Sequence, residues 1–305
     1  MREIVLVTNN TADLPKDYLR DNGIVEATLT YVLDGVTYNE ENCLNYKDFY
    51  AKMRGGAMPT TSQMNVVEAR ELYEPLIQRG HDILHIAFSS GLSGSYNSCC
   101  LAASELMEVY PEGRIEVVDS LSASLGEGLL VYLVNEKMRE VNLDLEELAQ
   151  WTRSMIPHIC HNFTVDDLNH LHRGGRVSKT TAVLGSLVGI KPILRVDGTG
   201  HLVAADKVRG RRKSLIDLVD RMEKQMKGCR NEIVFISHGD CIDDAAVVKK
   251  QIEERFGIKK FLINPMGPVI GTHAGPGTVA LFFVGNEGRN STLGWGAPGE
   301  RTDVA

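Results

Sequence analysis

The sequence predicts an α/β protein built from two domains, on three observations. The chain has 305 residues, which is more than a single hydrophobic core usually serves, so two domains are expected. In the first half, short apolar runs alternate with helix-like stretches, a pattern typical of βαβ units around a mostly parallel sheet. In the second half, apolar runs separated by turn residues are mixed with helices, which predicts a mixed α/β domain. We assign residues 1–157 to the first domain and residues 158–284 to the second.

The first domain opens with a strand at 4–7, where a signal peptide would need a longer apolar region. Asp34-Gly35 lies between two further apolar runs and predicts a hairpin turn. Short apolar runs bounded by turn residues give the other strands, and longer stretches with helical spacing give the helices. The predicted strands are 24–31, 36–38, 83–88 and 115–118, and the predicted helices are 16–21, 45–53, 66–79 and 125–140.

The second domain contains a proline that limits how it can fold. Lys191 precedes Pro192, and a residue before proline disfavours helix, so 191–196 is predicted to be a strand. A turn at 197–200 would let 201–205 pair back on that strand as a hairpin. The other predicted strands are 161–165, 233–237, 261–263 and 278–284, the helices are 166–172, 214–227 and 243–256, and the segment 183–190 leads into the proline-containing strand. Residues 285–305 are polar and rich in glycine, and we predict a mobile tail.

Charge and composition exclude several classes of protein. The formal net charge of −7 argues against a nucleic-acid binder, which usually has a basic balance or a basic face. The sequence has no run of about 18 apolar residues, so we expect no membrane span and a cytoplasmic location. The six cysteines form no CxxC pair, and in a cytosolic setting they are expected to be reduced. No metal site is predicted.

Four loops rich in hydroxyl groups or glycine adjoin the predicted strands, at 59–63, 89–95, 119–128 and 267–278. In open α/β sheets, ligands bind beyond the carboxyl ends of the strands, where such loops would converge. The loop at 89–95 is the richest, with four serines and two glycines. Hydroxyls and backbone N–H groups are neutral donors suited to the oxygens of a carboxylate or phosphate. Neither a P-loop nor a complete GxGxxG motif is present, so no dinucleotide site is predicted.

The charged and nucleophilic residues leave alternatives open. Ser93 and His273 are candidates for the nucleophile and base of an acyl hydrolase, although Gly91-Leu92-Ser93-Gly94 only approaches the GxSxG motif and no acid stands out as orienter. Arg176 would either pair with an oxyanion or offset the dipole of a helix C-terminus. The basic run at 207–213 is either a solvated face or a docking patch for an acidic or phosphate-bearing partner.

Seven motifs occur in order along the chain. They cover nearly everything from residue 4 to residue 284. The motifs are 8–15, Thr61-Ser62-Gln63, 89–98, Val118-Asp119-Ser120 with Ser124-x-Gly126-x-Gly128, 168–178 with Arg173-Gly174-Gly175-Arg176-Val177-Ser178, 190–194, and Gly271-Thr272-His273-x-Gly275-Pro276-Gly277. Each motif alone is modest, but the seven in this order resemble the DegV family of bacterial proteins and are specific to it.

The resemblance implies a two-domain DegV-like fold that holds a long-chain fatty acid in an apolar tunnel. It also implies that the chain is not itself an enzyme: a separate ATP-dependent fatty acid kinase would phosphorylate the bound acid, and the acyl phosphate would serve phospholipid synthesis. By position, Thr61 and Ser93 would hold the carboxylate, and His273 and Arg176 would neutralise the acyl phosphate. Ser62, Gly94 and Thr272 are further candidate ligand-binding residues. No cofactor is implied other than this bound acid.

One departure from the family pattern concerns Asn9-Asn10, where the family usually has Asp-Ser. Asparagine keeps the hydrogen-bonding capacity of aspartate but loses its charge. Fatty-acid binding agrees with the residue types, because an acyl chain needs apolar walls and its head group needs a small polar clamp. Two other functions stay open at this point: a serine-type acyl hydrolase that uses Ser93 and His273, and a protein–protein adaptor that uses 207–213.

Overall fold

A computed structural model describes residues 2–178 and 189–286. In chain order the strands are β1 (Ile4–Asn9), β2 (Val25–Ala27), β3 (Tyr31–Leu33), β4 (Val36–Tyr38), β5 (Thr60–Thr61), β6 (Asp82–Ala87), β7 (Ile115–Asp119), β8 (Ile159–Thr164), β9 (Ile190–Val196), β10 (Leu202–Arg209), β11 (Ile233–His238), β12 (Lys260–Pro265) and β13 (Val279–Val284). The α-helices are α1 (Lys16–Asp21), α2 (Tyr46–Arg54), α3 (Val66–Gln78), α4 (Ser95–Val109), α5 (Leu125–Glu140), α6 (Leu145–Met155), α7 (Asn169–Arg173), α8 (Arg211–Gln225), α9 (Ile242–Phe256) and α10 (Pro268–Ala274). Short 3-10 helices span Asn10–Ala12 and Ile156–His158.

The first half of the chain forms a parallel sheet in the order β2-β1-β6-β7. Its strands are apolar on both faces, as expected for a parallel sheet covered on both sides. Val7 and Ile83 pack with α3 and α4, whereas Leu6 and Leu84 face α5. The chain order reverses between β1 and β6, and such a switch point is where open α/β sheets bind ligands.

The second half forms a mixed sheet in the order β10-β9-β8-β13-β11-β12. Its pairs are antiparallel except β11 and β12, which run parallel. One face packs against α8 and α9. The other face turns toward α5, whose Leu129 joins Phe163 and Phe282 in one apolar cluster. Helix α5 therefore lies between the two sheets and holds both against one core.

The α/β class predicted from the sequence is confirmed, with one parallel sheet, one mixed sheet and a small antiparallel sheet in the order β4-β3-β5. The hairpin at Asp34-Gly35 is also confirmed, because both residues have positive φ, at 53° and 78°, as a type I′ turn requires. The boundary between domains 1–157 and 158–284 stays a prediction. Among the residues that the structure describes, no helix has the length and apolarity to cross a bilayer.

Two predicted segments differ in the structure, and a helix lies where none was predicted. The run 24–31 is divided between β2 and β3, because Asn10 bonds both the N–H and the C=O of Leu29, at 3.1 and 2.9 Å, in place of a strand partner. The loop 267–278 contains helix α10, which starts at Pro268, a residue suited to a first helical turn. Helix α6 was not predicted, although Asp144 and Glu147 form a capping box at its start.

The first two residues of the predicted tail, 285 and 286, form backbone hydrogen bonds to the rest of the chain. The Gly285 N–H donates to His158 O at 2.8 Å, and the Asn286 N–H donates to Gln225 O at 3.0 Å. Residues 287–305 lie outside the described residues. The same holds for 183–188 of the segment predicted to lead into β9.

Candidate functional site

A cavity of about 300 Å³ lies beyond the carboxyl ends of the parallel sheet, between the two halves of the chain. Nine polar side chains line it: six of them, Thr61, Ser62, Gln63, Ser93, Arg176 and His273, form the group described below, and the other three are Ser124, His161 and Thr278. Apolar side chains form most of the rest, among them Leu29, Phe88, Leu92, Phe163, Leu171, Val196, Leu202, Met266, Val269, Ala280 and Phe282. The cavity is thus a mostly apolar chamber with one main group of polar side chains, and three of the four loops named from the sequence supply part of that group.

Thr61 and His273 form the centre of the polar group. Thr61 lies on β5, which pairs with β3, and His273 lies in the last turn of α10. Their side chains meet at 2.9 Å, from Thr61 Oγ1 to His273 Nε2. These residues are 212 positions apart, so only the tertiary fold brings them together.

His273 is neutral at neutral pH. Burial, and to a smaller extent the neighbouring Arg176 and Arg173 charges, together lower its pKa to about 4. Its Nδ1 is buried and has no hydrogen-bond partner among the described residues, and it faces Gly174, where a Cβ would collide with it. We assign the proton to Nε2, since an unbonded buried acceptor costs less here than an unbonded N–H. His273 then donates to Thr61, whose own hydroxyl proton is left to donate to a ligand.

Ser93 lies in the loop between β6 and α4. Its hydroxyl shares a hydrogen bond with the Ser95 hydroxyl at 2.9 Å and accepts from the Ser95 N–H at 3.2 Å. Ser89 fixes the start of the same loop, because its hydroxyl donates to Gly200 O at 2.9 Å. The Ser93 hydroxyl is half-buried and lines the cavity beside the Thr61–His273 pair.

Arg176 follows α7 and reaches across to the Ser93 loop. Its Nε and Nη2 donate to Leu92 O at 3.1 and 3.0 Å, and its Nη1 donates to Gly174 O. A guanidinium has five N–H donors, so two remain once these bonds to described carbonyls are made. Burial lowers the pKa of Arg176 from its usual value, but an arginine stays charged in proteins. The residue therefore both braces the loop and offers positive charge to the cavity.

Of the other three predicted ligand-binding residues, Ser62, Gly94 and Thr272, only Ser62 lines the cavity. Ser62 lines the cavity and is exposed. Thr272 and Gly94 do not belong to the lining. Thr272 donates to Pro268 O at 2.7 Å within α10, and Gly94 precedes α4, where a Cβ would collide with the Gln63 side chain. Gln63 also lines the cavity, although the sequence did not predict it as a ligand-binding residue.

Sequence reasoning missed two buried acids behind the cavity. Glu127 accepts hydrogen bonds from the Thr8 and Thr11 hydroxyls at 3.0 and 2.8 Å and from the Asn9 N–H at 3.3 Å. Burial raises the pKa of Glu127 well above its usual value. Its position in Gly126-Glu127-Gly128 was the available signal, because a charged residue between two glycines near a strand end is unusual in a core.

The second missed acid, Asp13, connects the two halves of the chain. Its carboxylate accepts from the Ser124 hydroxyl at 2.5 Å and from the Gly267 N–H at 2.8 Å. Ser124 also bonds the Ser237 hydroxyl at 2.9 Å. Gly267 caps the start of α10, so Asp13 fixes the helix that carries His273. Burial raises the pKa of Asp13, and hydrogen bonds from Ser124 and Gly267 offset only part of that rise. The resulting pKa is about 8.

The asparagines that replace the usual Asp-Ser both serve backbone groups. The side-chain oxygen of Asn9 accepts from the Phe88 N–H at 2.8 Å and so joins β1 to the end of β6. Asn10 holds Leu29, a wall of the cavity, by the two bonds described above. Neither role needs a negative charge.

Gly126 and Gly128 allow α5 to pack closely against β8 and against the segment that follows β1. A Cβ at Gly126 would collide with His161 of β8, and one at Gly128 would come within 2.7 Å of Ala12 O. His161 itself lines the cavity, and its Nδ1 contacts Ile159 O at 3.1 Å. These two glycines therefore allow the close packing of α5 between the two halves of the chain. They do not form a phosphate-binding loop.

The geometry does not favour the acyl hydrolase. His273 is paired with Thr61 and Ser93 with Ser95, whereas a triad needs the serine on the histidine and an acid on its other nitrogen. The other nitrogen of His273 is without a partner, and its low pKa makes it a poor base. Within 2–178 and 189–286, no group of three or more His, Cys, Asp or Glu side chains is arranged to hold a metal ion.

The basic run at 207–213 divides into two parts. Arg211 is engaged by Asp244 at 2.8 Å, by Asp166 at 3.5 Å and by Gly277 O. Arg211 thereby ties α8 to the turn after α10. The remaining basic residues of the run, Lys207, Arg209, Arg212 and Lys213, are exposed.

Comparisons with known proteins agree on one family. The sequence model described as "Uncharacterised protein, DegV family COG1307" matches residues 3–286. A DegV domain-containing protein of Clostridium perfringens is 42% identical over 288 residues, which is 94% of this chain and 99% of that one. One similar solved structure is a DegV family protein of Thermus thermophilus, whose description refers to fatty acid binding. It has a TM-score of 0.82 and 29% identity, and the match covers 94% of this chain and 100% of that chain. DegV of Bacillus subtilis, described as a fatty acid binding protein, has a TM-score of 0.82 and 28% identity with the same coverage.

Proposed function

The chain belongs to the DegV family, and we propose that it binds a long-chain fatty acid in the cavity with its carboxylate at Thr61 and Ser93. The observation that carries this proposal is the arrangement of the lining: hydroxyl and basic groups at one place and apolar side chains over most of the rest. The Thermus and Bacillus relatives are described as binding fatty acids. A molecule with one anionic end and a long apolar remainder matches this distribution.

The apolar walls supply most of the affinity. Each methylene that leaves water contributes about 0.8 kcal/mol, and Phe88, Phe163 and Phe282 offer large apolar surfaces to the chain. This attraction has no direction along the chain. The polar group is therefore needed to fix which end lies where.

The clamp holds the carboxylate without neutralising it. Neutral His273 donates to Thr61, and Thr61 donates onward to the carboxylate oxygen, so each hydrogen bond strengthens the next. Ser93 adds a second hydroxyl donor. Bonds from hydroxyls leave the carboxylate its charge and a lone pair free for reaction.

We further propose that the chain presents this acid to a separate kinase and does not itself catalyse the reaction. One carboxylate oxygen would attack the γ-phosphorus of ATP held by the kinase, ADP would leave, and an acyl phosphate would result. The added phosphate brings further negative charge, which the two remaining N–H groups of Arg176 would meet. The half-buried Thr61, Ser93 and Arg176 would keep the head group accessible to the kinase. The exposed basic residues at 207–213 are candidates for its docking face.

Removal of either clamp hydroxyl tests the binding proposal. We expect Thr61→Ala and Ser93→Ala each to weaken binding of octadecanoic acid by roughly 10- to 100-fold, the range for a lost hydrogen bond to a charged group of about 1.5–3 kcal/mol. The measurement is a titration of delipidated protein with the acid and with its methyl ester. The ester has no carboxylate, so its affinity should change little between wild type and variants. Equal affinity of all three proteins for the acid would remove the clamp assignment.

Arg176→Ala separates binding from presentation. We expect the fatty-acid affinity to stay within about 3-fold of wild type, because Arg176 is not a clamp donor, and acyl phosphate formation to slow by about 10-fold or more. The assay uses a bacterial fatty acid kinase with ATP and traps the acyl phosphate with hydroxylamine. Arg176→Lys is the matched control, since it keeps the charge but loses the bidentate hold on Leu92. A normal rate in Arg176→Ala would contradict the assigned role.

A further inference from the structure

A second cavity of about 450 Å³ lies directly beside the first. Leu29, Met266 and Val269 line both cavities, so these three side chains form the wall between them. All three are apolar and at most 5% exposed. The wall is one side chain thick, and these apolar side chains have no group that could form a salt bridge to hold it closed.

Met266 is the part of this wall best able to move. Its backbone is fixed, since its N–H donates to His238 O at 2.9 Å and its C=O accepts from the Tyr50 hydroxyl at 3.2 Å. Its side chain, by contrast, is unbranched, with three rotatable bonds and a polarisable sulfur, and adapts to irregular gaps. A rotamer change at Met266 would open the wall without displacing the main chain.

The wall lies close to the proposed clamp. Val269 precedes His273 by four residues in α10, a distance of about 6 Å along a helix axis. The first cavity, about 300 Å³, is at the lower end of the roughly 300–1,000 Å³ typical of small-molecule sites. A long acyl chain that starts at His273 soon reaches this wall and needs more space than the first cavity offers.

The second cavity suits the methyl end of such a chain. Tyr31, Tyr38 and Tyr46 contribute aromatic surface to it, and the first two rings stack with centroids 4.8 Å apart. Lys16 and Asp17 lie at the solvent side, with side chains 66% and 80% exposed. Leu14, Pro15 and Pro265 add further apolar surface, and the buried carboxyl groups of Asp13 and Glu26 are also part of the lining. The cavity is therefore mostly apolar near the tyrosines and charged at its mouth.

We propose that the two cavities become one acyl channel when Met266 swings aside, so that acids too long for the first cavity place their methyl end among these tyrosines. This inference rests on the proposed fatty-acid function. It makes Met266, together with Leu29 and Val269, a determinant of acyl chain length. Acids short enough for the first cavity leave the wall closed.

A native cysteine provides the first test. Cys43 lines the second cavity and is an exposed free thiol, whereas Cys229 lines neither cavity. Wild-type protein is alkylated with iodoacetamide when loaded with tetradecanoic or eicosanoic acid, and each site is followed by peptide mass spectrometry. We expect eicosanoic acid to slow alkylation of Cys43 severalfold, tetradecanoic acid to leave it unchanged, and Cys229 to react equally in both. Equal Cys43 rates with both acids bound would overturn the channel.

A substitution provides the second test. Met266→Ala opens the wall permanently, and we expect its affinity for eicosanoic acid relative to tetradecanoic acid to rise about tenfold. Met222→Ala is the matched control, because Met222 is fully buried in the α8–α9 core and lines neither cavity. An unchanged ratio in Met266→Ala would contradict the inference. If neither acid binds wild-type protein, the fatty-acid function itself fails, an outcome distinct from a closed wall.

Discussion

Replacing Ala280 by phenylalanine is expected to abolish fatty-acid binding. Ala280 is 4% exposed, lines the cavity, and pairs with Phe163 across β13 and β8. A phenyl ring at this position would fill the space beside Phe163 and Phe282 that the acyl chain needs. The loss of about four buried methylenes alone costs about 3 kcal/mol, which exceeds a hundredfold in affinity.

The binding measurement for Ala280→Phe is the titration with octadecanoic acid, and its control is Ala51→Phe. Ala51 is exposed on α2 and does not line the cavity, so the same chemical change there should leave binding intact. Overpacking at Ala280 costs about 1–3 kcal/mol of stability, and circular dichroism would show that the variant is folded. Wild-type affinity in folded Ala280→Phe would place the acid elsewhere.

Asp13→Asn is expected to remove a large part of the pH dependence of stability. The pKa of Asp13 is raised to about 8 from an ordinary value of 3.8. Between these values the unfolded chain has released a proton that the folded chain keeps, so the free energy of unfolding falls as pH rises. The slope for one proton is about 1.4 kcal/mol per pH unit. Glu26 and Glu127 also act on this site electrostatically, and they are present in both proteins.

Asparagine matches the protonated form of Asp13 in shape and in hydrogen bonds. It can accept from the Gly267 N–H and donate to the Ser124 hydroxyl, but it does not titrate. Urea unfolding from pH 5 to 8 should therefore show the variant gaining stability relative to wild type as pH rises. Asp17→Asn, at a side chain that is 80% exposed, is the control and should run parallel to wild type. If the curves of wild type and Asp13→Asn are parallel, Asp13 is not protonated in the fold.

Local sequence was sufficient for the elements whose signals are local. The apolar runs that became β1, β6 and β7 are short and bounded by turn residues, and Asp34-Gly35 fixes its hairpin through backbone conformation alone. The loops at 89–95 and 119–128 could be placed together because they follow β6 and β7, and parallel strands put their carboxyl ends at one edge. The motifs that resemble the DegV family then selected Thr61, Ser93, Arg176 and His273 from the many polar residues of these loops.

Features that depend on long-range partners were not predictable from local sequence. The division of 24–31 into β2 and β3 depends on the Asn10 side chain, which is distant in sequence from the bonds it makes at Leu29. Helix α10 contains Gly271 and has only seven residues, which is too short for a helix to be stable in isolation. It depends on a distant residue, because Asp13 accepts a hydrogen bond from the Gly267 N–H at its start. The roles of Asp13 and Glu127 depend on burial, which their sequence neighbours do not reveal.

The most direct test of the central claim is mass spectrometry of the purified protein, intact under native conditions and after solvent extraction. We expect one long-chain fatty acid per chain, lost on extraction and restored when the acid is added back. A protein that is empty as purified and also fails to take up added fatty acid would contradict the account.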